Sequence, residues 1–133
     1  MAFLISSTEV VTGPPITYVF SGTASEAFSY GQALKLAGGL LTKAAGTDQP
    51  TFICLKDVPA ESTSVPNIPV LKITPILEFE TTSTVAVPAS NIGAKVTLST
   101  DGTQVTNTTT GGTFMVLQTS NTAGGAVRGK FNY

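Results

Sequence analysis

The sequence predicts an all-β fold, a small antiparallel β-barrel or sandwich with an extended N-terminal arm. The chain has 133 residues, which suits one domain. Thr occurs 22 times and Ser 11 times, and the many Thr residues favour strands because their side chains branch at Cβ. Short apolar segments alternate with Gly- and Pro-rich turns, the pattern of small barrels and sandwiches. Apolar residues make up 41% of the chain and the net charge is −1, so a folded core is expected.

One hairpin is predicted around Asp101-Gly102, which separates two alternating runs. A two-residue loop there places Leu98 opposite Val105 and Thr97 opposite Thr106. One face of the hairpin is then apolar and the other carries Thr, so the register agrees with the hydrophobic pattern. The sequence favours a type I′ turn, in which both central residues have positive φ.

A second hairpin is predicted near the C-terminus, with arms at 113–120 and 126–133 and a turn-rich loop at 121–125. Alternation in the last arm sends three residues to an apolar face: Val127, Phe131 and Tyr133. Three polar residues take the other face: Arg128, Lys130 and Asn132.

The segments 33–36 and 40–44 flank Gly38-Gly39. They are compatible with a helix interrupted by two glycines, but two short strands around a Gly-Gly turn fit better.

Further strands are predicted at 51–56, 69–74 and 76–81, where the last two form separate strands or one strand bent at Pro75. Several prolines fall in this part of the chain and are expected to confine much of it to edges and loops.

The chain divides into residues 1–28, an N-terminal arm or first strand, and residues 29–133, a single barrel-like domain. Gly13-Pro14-Pro15 favours extended backbone within the first part. The arm hypothesis makes its apolar residues a partner-binding set that orders on a neighbouring subunit: Phe3, Leu4, Ile5, Ile16, Tyr18 and Phe20. The alternative is that this segment supplies the first strand of the domain itself.

Composition excludes several functions. Without His and with one Cys, the chain lacks the residues for a Cys/His zinc site or for Ser-His-Asp or Cys-His catalysis. Seven basic and eight acidic residues give no electrostatic footprint for nucleic acid or an anionic membrane. No apolar run reaches the roughly 20 residues of a membrane helix. We therefore expect no catalytic residues, cofactor or metal, no nucleic-acid or membrane partner, and synthesis in the cytoplasm.

Two charged pairs are candidate sites. Glu78 and Glu80 share one face of a strand, roughly 6–7 Å apart, near the lower limit for an inverting glycosidase. A solvated face of an edge strand is the favoured interpretation, because no aromatic sugar platform accompanies the pair. Arg128 and Lys130 are candidates for anchoring an acidic partner, although such a pair is more often a solvated face. Cys54, within an apolar run, is predicted to be a buried, inert thiol.

The central third of the chain resembles the head decoration (cement) proteins of tailed bacteriophages. The resemblance lies in 30–36 (YGQALKL), 38–44 (GGLLTKA) and 47–53 (TDQPTFI), and continues in 68–75 (IPVLKITP) and 79–81 (FET). It covers roughly residues 28 to 133, and its motifs are turns and strands rather than catalytic signatures.

This resemblance implies a β-barrel protein of the virion that binds the outside of a capsid and stiffens it. The implied partners are the major capsid protein and neighbouring copies of the chain, with no cofactor. The N-terminus is longer and more apolar than the family pattern. Two alternatives stay open from composition alone: another virion element, such as a tail or spike domain, and a surface adhesin module.

Overall fold

A computed structural model describes residues 3–8 and 16–131, with backbone only at Ser7 and Thr8. These residues form ten strands in two packed sheets and one turn of 3-10 helix at Ala89–Asn91. The strands are β1 (Leu4–Thr8), β2 (Thr17–Gly22), β3 (Ala33–Ala37), β4 (Leu40–Lys43), β5 (Phe52–Cys54), β6 (Val65–Lys72), β7 (Leu77–Thr82), β8 (Lys95–Val96), β9 (Phe114–Thr119) and β10 (Ala126–Phe131). The predicted all-β barrel or sandwich is confirmed.

Five strands close into a barrel in the order β2-β4-β3-β5-β6. Neighbouring strands are antiparallel except at the closure, where β2 meets β4 in parallel at Gly22 and Leu41. The predicted hairpin of β3 and β4 is confirmed. Its turn residues Gly38 and Gly39 have φ of 58° and 81°, which glycine adopts at little cost.

The other five strands form an antiparallel sheet in the order β1-β7-β10-β9-β8. The predicted C-terminal hairpin is confirmed as β9 and β10, with Val127 and Phe131 buried and Arg128 exposed. Asn132 and Tyr133, also assigned to this arm, lie outside the described residues.

Two apolar clusters occupy the molecule because strand alternation directs successive side chains of the barrel wall to opposite sides. Leu34, Cys54 and Val70 point into the barrel. Their neighbours Ala33, Ile53 and Leu71 point outward into a core shared with the open sheet. Both faces of these strands are therefore buried, which explains why segment 51–56 is almost continuously apolar.

The predicted pairing around Asp101-Gly102 is confirmed: Leu98 bridges Val105. The predicted type I′ turn is wrong, because of these two residues only Gly102 has positive φ, at 75°. The physical reason is a hydrogen-bond set that holds Asp101 in place. Its carboxylate accepts from Ser99 Oγ at 2.8 Å and from Thr103 Oγ1 at 2.7 Å, and the turn spans 99–104.

The expectation that prolines confine the region before β7 to edges and loops is wrong for β6. This strand contains Pro66 and Pro69 and still pairs with β2 on one side and β5 on the other. Pro69 lacks an N–H, but its carbonyl accepts from Leu55 N at 3.0 Å. The chain then leaves the barrel at Pro75, so β6 and β7 are two strands in different sheets.

The described parts of the first 28 residues lie on the domain itself. Strand β1 pairs with β7, and β2 is a barrel strand. Phe3 is 1% exposed and packs in the shared core, so the arm hypothesis, which has it order on a neighbouring subunit, is wrong for this residue. Residues 9–15, including Gly13-Pro14-Pro15, lie outside the described residues.

Candidate partner-binding site

One end of the barrel carries an apolar surface with aromatic side chains. Strands β2, β4 and β5 begin at this end and β3 and β6 finish there, as their pairing directions require. We call this end the barrel mouth and define it by six residues on these strand ends: Ile16, Tyr18, Phe20, Leu36, Phe52 and Lys72.

Three rings pack together at the barrel mouth. Tyr18 stacks on Phe20 with ring centroids 5.8 Å apart, and both rings contact Phe52, at 6.0 and 5.0 Å. Phe52 is buried beneath them, whereas Tyr18 is 42% exposed. Ile16, whose carbonyl accepts from Lys72 N at 2.8 Å, is 50% exposed. The mouth is therefore a packed aromatic platform open to solvent.

A groove of about 460 Å³ adjoins this platform. Phe52 and Leu36 contribute apolar surface, and Lys35 and Lys72 are its charged lining residues. Lys35 Nζ lies 3.0 Å from Asp48 Oδ2. The pKa of Asp48 is held below its ordinary value mainly by the hydrogen bond from the N–H of Ala45. The hydrogen bond from Lys35 lowers this pKa further.

Thr51, which lines the groove, carries a hydroxyl with no partner. Thr51 Oγ1 is buried and makes no hydrogen bond in the described structure. A buried hydroxyl without a partner is energetically costly, and this oxygen lies beneath the groove surface and is not exposed in it.

A second, smaller groove of about 250 Å³ lies between β1 and the barrel. Leu4, Ile5 and Tyr30 line it, and all three side chains are more than 40% exposed. Within the described part of the chain β1 pairs with β7 and with no other strand.

The outer face of the open sheet carries the predicted charged pairs. Glu80 lies opposite Arg128, with Oε1 2.8 Å from Nε, and both side chains are about half exposed. An exposed ion pair of this kind contributes about 0–1 kcal/mol. Glu78 and Glu80 lie on β7, which is flanked by β1 and β10, so their assignment to an edge strand is wrong. Lys130 is partly buried on β10.

The structure thus separates the predicted partner-binding residues into four places. Ile16, Tyr18 and Phe20 come together at the barrel mouth, and Leu4 and Ile5 lie at the second groove. Phe3 is in the core, and Arg128 and Lys130 lie on the outer face of the sheet.

Sequence reasoning missed Leu36, Phe52 and Lys72 as members of the mouth. Each continues the inward alternation of its strand, but their proximity depends on the barrel register, which pairs Phe52 with Lys72 and with Leu34.

Cys54 is buried inside the barrel, as predicted, and its Sγ donates to the carbonyl of Lys56 at 3.0 Å. Burial raises the pKa of this thiol, so the protonated form is favoured. Across residues 3–8 and 16–131, no three His, Cys, Asp or Glu side chains group in a way that could hold a metal ion. The same ranges contain no helix long and apolar enough to cross a membrane.

Comparison with solved structures finds a similar fold in a phage protein. The N base of the head fiber gp8.5 of bacteriophage phi29 superposes with a TM-score of 0.59 and 17% sequence identity. The likeness covers 88% of this chain and 95% of that chain. No family model matches the sequence, and no curated protein matches it. At this identity the likeness establishes the fold.

Proposed function

We propose that the chain is a non-enzymatic structural protein of a phage head, where it binds the major capsid protein on the outside of the shell. The observation that carries this proposal is the fold likeness to the base of a phage head fiber, which spans nearly the whole of both chains. The resemblance of segments 30–53 to head decoration proteins supports the same role independently of the coordinates.

The surface chemistry is compatible with dense binding to a shell. A net charge of −1 limits repulsion between neighbouring copies. Two exposed apolar grooves offer contact area, and a ligand that binds only the assembled shell stabilises that shell by mass action. We infer that the protein reinforces the capsid by occupying many equivalent sites.

A second candidate function is the base of a head fiber, because the similar solved structure is itself the base of a phage head fiber. In that role the domain attaches a projecting element at a few positions of the head. The two candidates share the head as partner and differ in the number and symmetry of the occupied sites.

The test is binding to heads that lack the protein, prepared from the virus that encodes it. Labelled protein is mixed with mature heads and sedimented, and unlabelled protein serves as competitor. We expect saturable, competed co-sedimentation, with many copies per head for decoration and few for a fiber base. Absence of saturable binding at low, physiological and high salt would overturn the proposed function.

A further inference from the structure

We propose that the barrel mouth and its groove bind an extended segment of a partner polypeptide that presents a carboxylate beside a large apolar side chain. The identity of that partner as a capsid protein rests on the proposed function. The binding chemistry rests on the groove itself.

The exposed apolar side chains at the barrel mouth indicate that the ligand presents an apolar group. Tyr18 is 42% exposed, Ile16 50% and Leu36 39%, so three large apolar side chains meet solvent at one end of the barrel. Contiguous apolar exposure on a soluble domain marks a contact site. The packing of Tyr18 on Phe20 and Phe52 fixes the platform before binding, which lowers the entropic cost of association.

The charge of the lining selects the polar part of the ligand. Lys35 and Lys72 line the groove, and none of its other lining residues within 3–8 and 16–131 is charged. Asp48 neutralises Lys35, whereas the Lys72 ammonium has no acidic partner among the described residues. A groove with one uncompensated cation favours an anionic group, and one carboxylate satisfies it.

The shape and polarity of the groove favour a peptide. Its volume of about 460 Å³ lies within the roughly 300–1,000 Å³ typical of ligand sites. Gln49 adds to the lining an amide group that can both donate to and accept from a peptide backbone. Two lysines are too few for a nucleic-acid backbone, which requires a wider basic surface.

A second copy seated mouth to mouth is disfavoured. A two-fold axis through the mouth would bring the Lys72 side chain of each copy towards the other, and like charges at such a contact repel. The ligand segment is therefore assigned to a different polypeptide.

The experiment uses a random dodecapeptide library displayed on filamentous phage as the probe. The full chain is immobilised, and enriched peptides are synthesised for titration by NMR. Groove variants are Lys72→Glu and Tyr18→Ser. The matched controls are Lys56→Glu and Ile92→Ser, which alter an exposed lysine and an exposed apolar side chain that line neither groove. Thermal unfolding checks that every variant is folded, and Lys72→Glu keeps the test decisive if Tyr18→Ser is unstable.

We expect enriched peptides to carry Asp or Glu next to Phe, Tyr, Leu or Ile and to perturb the amides of residues around the mouth. Lys72→Glu and Tyr18→Ser should weaken binding by about tenfold or more, and the controls by less than about twofold. Peptides without this pattern, or equal binding by groove variants and controls, would overturn the proposal. Sedimentation equilibrium adds one more outcome: self-association abolished by Lys72→Glu would assign the groove to a second copy and also overturn it.

The peptide experiment and the head-binding experiment distinguish a wrong groove proposal from a wrong proposed function. If peptides bind as expected but heads are not bound, the groove chemistry stands and the proposed function fails. If heads bind wild type and groove variants equally, the head-binding role stands and the groove is not the attachment site.

Discussion

Phe3 lies at the centre of an aromatic cluster that joins the first strand to the core. Its ring centroid is 5.1 Å from that of Phe131, 5.5 Å from that of Phe114 and 6.5 Å from that of Phe79. Its N–H also donates to the carbonyl of Gly31 at 2.8 Å, which ties the chain start to the barrel. The adjacent Leu4 is 47% exposed on the opposite side of the strand.

Phe3→Ala is therefore expected to lower the free energy of unfolding by about 3–5 kcal/mol, because it leaves a cavity among three rings. Leu4→Ala is the matched control and should cost less than about 1 kcal/mol, since half of its surface is already in water. Urea denaturation of both variants measures the difference. Equal, small effects would mean that the segment at 3–8 contributes little to the core.

The role of Phe3 could not be read from its local sequence. Phe3, Leu4 and Ile5 are consecutive apolar residues, and three in a row indicate neither a strand nor a helix period. Only the long-range pairing of β1 with β7 places one of them inside and leaves the others at the surface.

Asp101 supplies a pH dependence at the residue scale. Burial alone would raise its pKa, but hydrogen bonds from Thr103 and Ser99 outweigh burial and hold the pKa below the ordinary value. A carboxyl with a lowered folded-state pKa stabilises the fold above its unfolded pKa of about 3.9, and this stabilisation is lost as pH falls through the folded value.

We expect the stability difference between wild type and Asp101→Asn to be constant above about pH 5 and to shrink as the pH falls below about 4. Denaturant unfolding at a series of pH values gives this difference directly. Subtracting the variant removes the contribution of Asp48, whose pKa is lowered in the same direction. A difference independent of pH through the acid range would contradict the assignment.

At the scale of elements, the turn at 99–104 connects the two sheets. The N–H of Ala33 in β3 donates to the carbonyl of Gly102 at 2.8 Å, and Gln32 Nε2 donates to the carbonyl of Asp101 at 2.6 Å. Gly46, just after β4, exchanges backbone hydrogen bonds with Leu98 at 2.9 and 3.2 Å. The hairpin that is predicted from Asp101-Gly102 thus holds the barrel against the open sheet.

Gly102→Ala tests this connection. A Cβ at Gly102 would overlap the carbonyl oxygen of Ala44 and lie 3.0 Å from that of Ala33, so the turn must move away from the barrel. Gly124→Ala is the matched control, because Gly124 has a similar φ of 73° against 75° but no atom within 4 Å of the added Cβ.

Both alanines incur the cost of positive φ, about 1–2 kcal/mol. We expect Gly102→Ala to cost a further 1–3 kcal/mol or so from overpacking. Chemical denaturation of the two variants measures the difference. Equal destabilisation by the two variants would indicate that the turn is not in tight contact with the barrel.

Hairpins were predictable from the sequence and barrel closure was not. Gly38-Gly39 and the 121–125 loop specify local pairings through turn chemistry. The pairings of β1 with β7 and of β2 with β4 join distant segments, and no local pattern encodes their register. The barrel mouth depends on that closure, so the sequence indicates only three of its residues, Ile16, Tyr18 and Phe20.

At the scale of the whole molecule, the two sheets share one core. Ile53, Leu71 and Ile73 from the barrel wall are buried in the same cluster as Phe79 and Phe114 of the open sheet. Separating the sheets would expose this surface, so neither is expected to unfold alone.

Hydrogen exchange monitored by NMR should therefore give the same opening free energy for the slowest amides of β5 and β6 and for those of β7 and β10. We expect both groups to match the global free energy of unfolding from denaturation. A distinctly lower value for one sheet would show that it opens independently, which would contradict the shared-core description.

The proposed role of this domain as a structural component of a phage head is tested by a cryo-EM comparison of particles. Heads from the virus that encodes the chain are reconstructed beside heads from which its gene has been deleted. We expect density on the outside of the wild-type shell that fits the described domain, is absent from the deletion particles and returns when purified protein is added. Identical density maps for the two kinds of head, with the protein expressed and stable, would contradict it.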